Sequence, residues 1–482
     1  MKKITAVILT LVLILGLSAC GGSDANPAIG STVGTTSGEA VQAGGFRVGY
    51  GIGDITPYKA ENGYSTYVNV ICLAMTDAQD NTALLLSVDA GGIANYIEPI
   101  QKYAQKEYGI PASQVIISAV HQHNAGGAEN PIEEAKKAVD MAMEDRAPAE
   151  MYINTVQTQA LAFVRHYWAK DPARSLVTDN HNEQIGAQYG YEGHEREADN
   201  DMQLIKFHRG DEKEPIILVN FQGHPIMGIF DKAKGGDFPA ILRQTVEEEL
   251  GAKVIYVSGA SGNVSARTRI ASELPYSTDD WRSHGKAAAR YVINAEEGYT
   301  KVDTGAIKAY TEVNSYRVGK ELNDPNMLDA AYEVQKARQI SDAEGQKVVD
   351  KYYPGLQSIY HAQYTVIRHE LGDTYDLNIG AIAIGEVAFT FHPYEMFDDN
   401  GEELKHGTVG NENYAPEDQL ENPYAMTVVC TLANGHNGYC PDAIGYANGG
   451  YSTDITRYAP GTGEELVTDY LQILNDLYGG SQ

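Results

Sequence analysis

The chain has 482 residues, more than one hydrophobic core usually fills, so one large two-lobed catalytic body or two domains is expected. Apolar residues make up 43% and charged residues 21%, the proportions of an ordinary globular protein. The formal charge of -29 argues against nucleic acid as a partner, because phosphates would go unneutralised; a solvated acidic surface accounts for it.

At the N-terminus, Lys2 and Lys3 precede an apolar run from Ile4 to Leu17, and Leu17-Ser18-Ala19-Cys20 follows. Residues 1–19 therefore read as a targeting segment, with an apolar run short for a membrane-spanning helix. The segment resembles bacterial lipoprotein signals, which implies cleavage before Cys20 and a lipid on that cysteine. Residues 20–45 are rich in Gly, Ser, Thr and Ala and read as a flexible tether. No second transmembrane run follows, so the body, residues 46–482, is expected to sit outside the cytoplasmic membrane, anchored to it by lipid.

Along the body, apolar runs at Tyr67–Met75, Ala83–Val88, Gln114–Ala119, Met202–Phe207, Ile216–Phe221 and Lys253–Val257 predict strands. Helical spacing predicts helices over Tyr96–Tyr108, Ile132–Met143, Val156–Trp168, Ala240–Leu250 and Trp281–Asn294, a helical stretch over Met327–Val349, a β-rich stretch over Tyr364–Phe391 and a last helix over Glu464–Leu477. This alternation predicts an α/β fold with mixed α+β layers: one large domain of mixed sheets and flanking helices, with the site at strand ends. No C-terminal accessory domain is expected. Cys72 is expected to be buried and inert. Cys430 and Cys440 are close enough to pair without being required to, and no CxxC spacing suggests a thiolate metal site.

Chemistry-bearing residues gather after the strands. His121 and His123 follow Val115-Ile116-Ile117 in Ser118-Ala119-Val120-His121-Gln122-His123-Asn124-Ala125-Gly126-Gly127. On a strand, residues two apart face one side, so both imidazoles would point beyond the sheet edge. Alone, the spacing fits two loop histidines as readily as metal ligands. Ile216–Phe221 ends in Gln222-Gly223-His224-Pro225, and Val254–Val257 ends in the small-residue loop Ser258-Gly259-Ala260-Ser261-Gly262-Asn263-Val264-Ser265, through which backbone can approach a ligand. Ala381–Phe391 ends in His392-Pro393-Tyr394-Glu395, and Asn437-Gly438-Tyr439 opens a tyrosine-rich loop reaching Tyr451. Glu395 also suits the first turn of a helix starting near Pro393, where the helix dipole favours a carboxylate. Glu386 competes as a carboxylate, though mid-strand burial is expected for it. His392 is expected to be structural. His181, His194, His208, His284, His361, His369, His406 and His436 stand in no motif and are expected to be ordinary surface or loop groups.

Together these segments resemble the catalytic domain of the neutral (non-lysosomal) ceramidase family. Gly49-Tyr50-Gly51-Ile52-Gly53-Asp54-Ile55-Thr56 is similar to that family's opening Gly-x-Gly-x-x-Asp-Ile-Thr. Ser118–Gly127 is similar to its Ser-x-x-His-x-His-x-x-x-Gly, and Gly236-Asp237-Phe238-Pro239 to its Asp-aromatic-Pro-Gly step. Gly262-Asn263-Val264-Ser265 is similar to its serine motif, Pro393-Tyr394-Glu395 to Pro-Gly-Glu, and Gly438-Tyr439 through Tyr451 to Pro460-Gly461-Thr462-Gly463 to its closing segment. The resemblance spans about Phe46 to Tyr478. It implies a zinc-dependent hydrolase of a linear amide, with N-acylsphingosine as the family's substrate. It implies His121, His224, Glu395 and Tyr439 as Zn²⁺ ligands, Ser265 as nucleophile or oxyanion donor, and His123 and Tyr451 on the substrate side. Arg165 is the nearest candidate for the family's arginine, although Asn-x-x-Arg-Ser-Pro is not kept around it.

The chain departs from the family at Tyr394, at the arginine motif and at Ala266-Arg267, and the family's C-terminal β-sandwich is not expected in it. No Gly-x-Ser-x-Gly elbow surrounds Ser265. The expected partner is thus a small amphipathic lipid or acyl amide, with an ester as an alternative, and no protein partner is expected. The competing expectation is a non-catalytic surface lipoprotein that captures a small extracellular ligand.

Overall fold

Three short apolar runs are buried on both faces because each lies parallel to a second strand and beneath helices, the setting that continuous hydrophobic strands require. In the computed structural model, which describes residues 45–57, 66–125, 130–178, 181–210, 212–230, 234–270, 273 and 280–480, these are three crossover units. Thr82–Val88 pairs in parallel with Val115–Ala119, Ile216–Phe221 with Lys253–Ser258, and Val387–Phe391 with Met426–Cys430. Parallel neighbours cannot be joined by a hairpin. Helices Ala94–Tyr108, Asp237–Leu250 and Asp398–His406 lie in the three connections.

Each unit anchors one mixed sheet. The first has the order Val115–Ala119, Thr82–Val88, Asn69–Thr76, Arg47–Asp54, Ala147–Pro148. The second runs Lys253–Ser258, Ile216–Phe221, Asp201–His208, Glu150–Gln157, Thr300–Val302, and the third Ile307–Arg317, Thr374–Ile384, Val387–Phe391, Met426–Cys430. One face of each sheet enters a shared core that includes Leu85, Ile116, Leu218, Ile255, Phe389 and Val428. The other faces pack on helices: Ala94–Tyr108 and Pro131–Glu144, then Asp237–Leu250 and Trp281–Asn294, then Thr462–Gly479. The chain is therefore α/β with mixed layers, as the alternation predicts, and its described residues fall within one compact unit. The residues expected to form a targeting segment, a lipidated Cys20 and a tether lie, through residue 44, outside the described residues. Among those described, no helix is long and apolar enough to cross a membrane.

Hydrogen bonds stitch the three parallel strand ends together. Asn220 Nδ2 donates to Val257 O and Val429 O, both at 3.0 Å, linking the second and third sheets. Ser118 Oγ donates to Thr431 O at 3.0 Å, and Ser258 Oγ to Val120 O at 2.8 Å. The C-terminal ends of strands from all three sheets therefore open into one place, and every loop singled out above leaves from there.

Several elements differ from their sequence patterns. Val156–Trp168 is not helical: Glu150–Gln157 is an antiparallel strand against Asp201–His208, and the short strands Phe163–Val164 and Tyr167–Ala169 follow. Its β-branched and aromatic residues pack as strand side chains despite their helical spacing. The stretch from Tyr364 begins inside a helix, Ile359–Glu370, started by Ser358, whose Oγ accepts from His361 N at 3.0 Å. Glu386 is exposed in the turn between Thr374–Ile384 and Val387–Phe391, where its carboxylate accepts from Asp303 N; the run is a hairpin and not one strand. Cys72, Cys430 and Cys440 are buried free thiols.

The alternating glycines of the first strand have a packing reason. Gly49, Gly51 and Gly53 share one face, and a Cβ on each would collide with Ala142 O, Ala138 O and Glu134 O. Those carbonyls are four residues apart along Pro131–Glu144, so one ridge of the helix rests on the bare backbone. Gly51→Ala is expected to cost about 1–3 kcal/mol through overpacking. Gly193→Ala, with nothing within 4 Å of the new Cβ, is expected to be near neutral. Urea midpoints of the two variants check this.

Candidate metal centre

His121 lies past the end of its strand, in a left-handed conformation with φ of 64°. Strand alternation therefore does not bring the two histidines together; the turn does. An imidazole-bearing residue in that region costs about 1 kcal/mol or more and persists only where its surroundings hold it. Here His121 N donates to Ala90 O at 3.0 Å, and its Nδ1 meets Gly91 O at 2.6 Å. The carbonyl can only accept, so Nδ1 carries the proton and the Nε2 lone pair faces away from it. His224 is held in the same sense, with Nδ1 at 3.3 Å from Ser261 O.

The Nε2 atoms converge. His123 Nε2 stands 3.3 Å from that of His121 and 3.1 Å from that of His224. Glu395 Oε2 stands 3.4 Å from His121 Nε2 as an ion-pair contact and, though buried, has no hydrogen-bond partner of normal geometry among the described residues. His121 and His224, each with Nδ1 against a carbonyl, turn Nε2 toward that of His123, and a carboxylate oxygen lies beside His121. A divalent cation would satisfy the three imidazoles, whose donor atoms all lie within 4.8 Å of one another. Tetrahedral bonds of ~2.0–2.1 Å give ligand–ligand edges of about 3.3 Å, close to these separations. The residues fit a metal, and His121, His123 and His224 form a group able to hold one.

Glu395 reaches the cluster because Glu395–Met396 is a two-residue strand, not a helix start, paired in parallel with Tyr439–Cys440. The register sets Glu395 opposite Tyr439, and Glu395 N donates to Gly438 O at 2.8 Å. Tyr439 is buried, and its hydroxyl accepts from Arg165 Nη2 at 3.1 Å. The same nitrogen donates to Gly262 O at 2.6 Å and Ser452 Oγ at 3.3 Å. The guanidinium lies 5.5 Å from the ring centre of Tyr439 and 5.8 Å from that of Tyr451. Arg165, Tyr439 and Tyr451 thus form one cluster, the two tyrosine rings edge to face.

Ser265 is half-buried at the end of the small-residue loop, in the strand Val264–Ser265 opposite Phe163–Val164. Its Oγ accepts from Arg267 N at 3.1 Å, and among the described residues no imidazole hydrogen-bonds to it. His392 is enclosed, with Nε2 2.9 Å from Thr390 Oγ1 and Nδ1 3.2 Å from Tyr394 Oη, as a structural histidine should be. His436 is a departure from expectation. Its ring lies 6.0 Å from that of His121, at the open side of the cluster. No ligand motif marks it; the only cue is its place three residues before Tyr439. His284 is likewise no surface group, being buried against Phe238.

Burial and neighbouring charge polarise the cluster. Burial, reinforced by His121, lowers His123 to about 3; burial followed by His121 and Arg165 holds His224 well below its ordinary value. Burial also opposes charge on His121, but Glu395 and the Gly91 carbonyl outweigh it and raise His121 overall. Burial would raise Glu395, yet His121, His224 and His436 pull it far below the carboxylate range. His123 keeps part of its surface in solvent while its Nε2 is turned in among the other rings, His436 is likewise exposed at that side, and His121, His224 and Glu395 are buried beneath.

No family model and no curated protein matches the chain. Solved structures do. The crystal structure of neutral ceramidase from Pseudomonas aeruginosa superposes with a TM-score of 0.59 at 14% identity, covering 90% of this chain and 74% of that one. A ceramidase complexed with C2 gives a TM-score of 0.60 at 13% identity, covering 90% and 75%. At such identities the likeness is one of fold, and the chain has a ceramidase-like fold.

The protonation pattern sets a pH dependence for the metal-free protein. Because His123 and His224 are lowered, the unfolded chain binds more protons than the folded one below about 6.5, and stability falls on acidification. His121, raised, contributes in the opposite sense, stabilising below about 6.5 and losing that contribution as pH rises through its folded value. Glu395, lowered, stabilises above the ordinary carboxylate range and loses that only on stronger acidification. The thermal midpoint is expected to fall between pH about 7 and about 5, and His224→Gln to flatten the slope. A flat wild-type profile would contradict a His224 held neutral by burial.

Proposed function

We propose that the protein is a zinc-dependent hydrolase that cleaves a linear amide, N-acylsphingosine or a related acyl amide, at the outer face of a bacterial membrane to which Cys20 anchors it. The observation that carries this reading is the approach of His123 Nε2 to those of His121 and His224 at 3.3 and 3.1 Å, with the buried Glu395 Oε2 3.4 Å from His121 Nε2 and the Arg165 guanidinium against the rings of Tyr439 and Tyr451. The shared fold of the two ceramidase structures supports it.

Zn²⁺ is the natural cation for imidazole and carboxylate donors at these separations. His121 and His224 are the ligands of choice, since each has its Nδ1 against a carbonyl that fixes the ring. Glu395 supplies the third donor. The Tyr439 hydroxyl, opposite Glu395 in register, supplies a fourth as a neutral phenol, because burial and then the Glu395 charge push its ionisation well up and Arg165 offsets this only in part. When bound, the ion polarises a carbonyl or lowers the pKa of a bound water. His123, neutral and on the open side, offers a hydrogen-bonding nitrogen to the substrate. Arg165, with Tyr451 against it, places positive charge where an oxyanion would develop. Ser265 serves as nucleophile or oxyanion donor at the end of the loop whose Gly262 carbonyl Arg165 grips.

Purified body is expected to hold about one zinc per chain and to release acyl chains from a panel of amides of graded length, with chelator abolishing turnover. Turnover of esters alone would replace the amide assignment, and metal binding without turnover of any substrate would leave a binding protein. Ser265→Ala is expected to keep the metal while turnover drops at least about a hundredfold. Unchanged turnover would remove Ser265 from the chemistry.

A further inference from the structure

We infer that Asp89 and Arg243, a buried ion pair outside the ligand set, act together as the positioning unit of His121. Arg243 lies on helix Asp237–Leu250 and grips Asp89 with both arms: Nη1 to Oδ1 at 2.8 Å and Nη2 to Oδ2 at 2.6 Å. Both side chains are almost wholly buried. Asp89 follows directly on strand Thr82–Val88 and opens the segment Asp89-Ala90-Gly91. That segment makes the bonds on which His121 depends. Ala90 O fixes the left-handed backbone of His121, and Gly91 O fixes its ring. Asp89 O accepts from Gln122 Nε2 at 3.0 Å, while Gln122 Oε1 accepts from Asn124 N and Ala125 N, both at 2.8 Å. Asp89 Oδ2 also accepts from Asn69 N at 2.9 Å, tying the segment to the neighbouring strand.

A buried ion pair adds little to net stability compared with apolar packing, so its retention points to geometric specificity. Here the geometry is that of two carbonyls, Ala90 and Gly91, which must sit correctly for an unfavourable backbone conformation to hold and for His121 to present Nε2. A bidentate fork sets both position and orientation of the carboxylate, which a lysine would not. The helix therefore acts on the cluster through Asp89 without touching it.

The inference rests on the metal reading above, and the test separates the two. Zinc affinity of the full chain is measured by chelator competition, alongside the thermal midpoint of the metal-free form. Arg243→Lys, and Asp89→Asn combined with Arg243→Met to leave no unpaired charge, are expected to weaken zinc binding by about 10–100-fold. Arg209→Met breaks another buried arginine's pair with Asp145, at the opposite end of its sheet, and is expected to lower the midpoint with zinc affinity unchanged. Variants that lose thermal stability but keep wild-type affinity would overturn the inference. Failure of the wild type to bind zinc would sink the metal reading instead. The imidazole ¹⁵N shifts of His121 in the metal-free protein, identified by loss of its signals in His121→Gln, then decide the matter: the Nδ1–H form should persist in the wild type and mix with the other tautomer in the variants.

Discussion

Imidazole nitrogens and a carboxylate oxygen do not pack against one another in a protein floor without a reason. Each lone pair removed from water must find a donor, and His121, His123 and His224 instead bring their ring nitrogens together, with Glu395 Oε2 beside His121. The surrounding structure leaves that cluster able to hold a metal ion. The carbonyls of Gly91 and Ser261 absorb the Nδ1 protons, so the unshared electrons are directed inward. The two-residue strand Glu395–Met396 exists to set one carboxylate beside them and one phenol opposite.

The fold reaches that arrangement by using one device three times. A crossover unit makes two parallel strands that end side by side, and loops leaving those ends are free to carry chemistry because their backbone no longer belongs to a ladder. Three sheets contribute one such pair each. Side chains at the strand ends, Ser118, Asn220 and Ser258, bond to the backbone of a neighbouring sheet. The loops are consequently referenced to one another through short, buried bonds and not through the outer helices.

Much of this can be read from the amino acids because the parallel strands are continuous apolar runs ended by Gly, Pro or small residues. Their positions, and so those of His121, His224 and the loop to Ser265, follow from burial alone. Other features depend on tertiary partners. Nothing local tells that Val156–Trp168 pairs as strands when its spacing also fits a helix. The placement of Glu395 comes from a parallel pairing with a segment far along the chain, and that of His436 from the same loop. The convergence of His121 and His123 is legible as a pair, but its cause, a left-handed residue held by two carbonyls, is not. Arg165 sits in a stretch whose family pattern is lost, so only the fold shows it against Tyr439 and Tyr451.

The groups that meet at the cleft are strangers along the chain: 101 residues separate His123 from His224, and 274 separate Arg165 from Tyr439. No contiguous fragment contains the site, and its assembly must wait for all three sheets to dock. A cation held there behaves as a non-covalent cross-link that closes very long loops at once. Because the unfolded chain has no comparable cluster, that cross-link favours only the completed molecule, so occupancy of the cleft and integrity of the whole fold become one equilibrium.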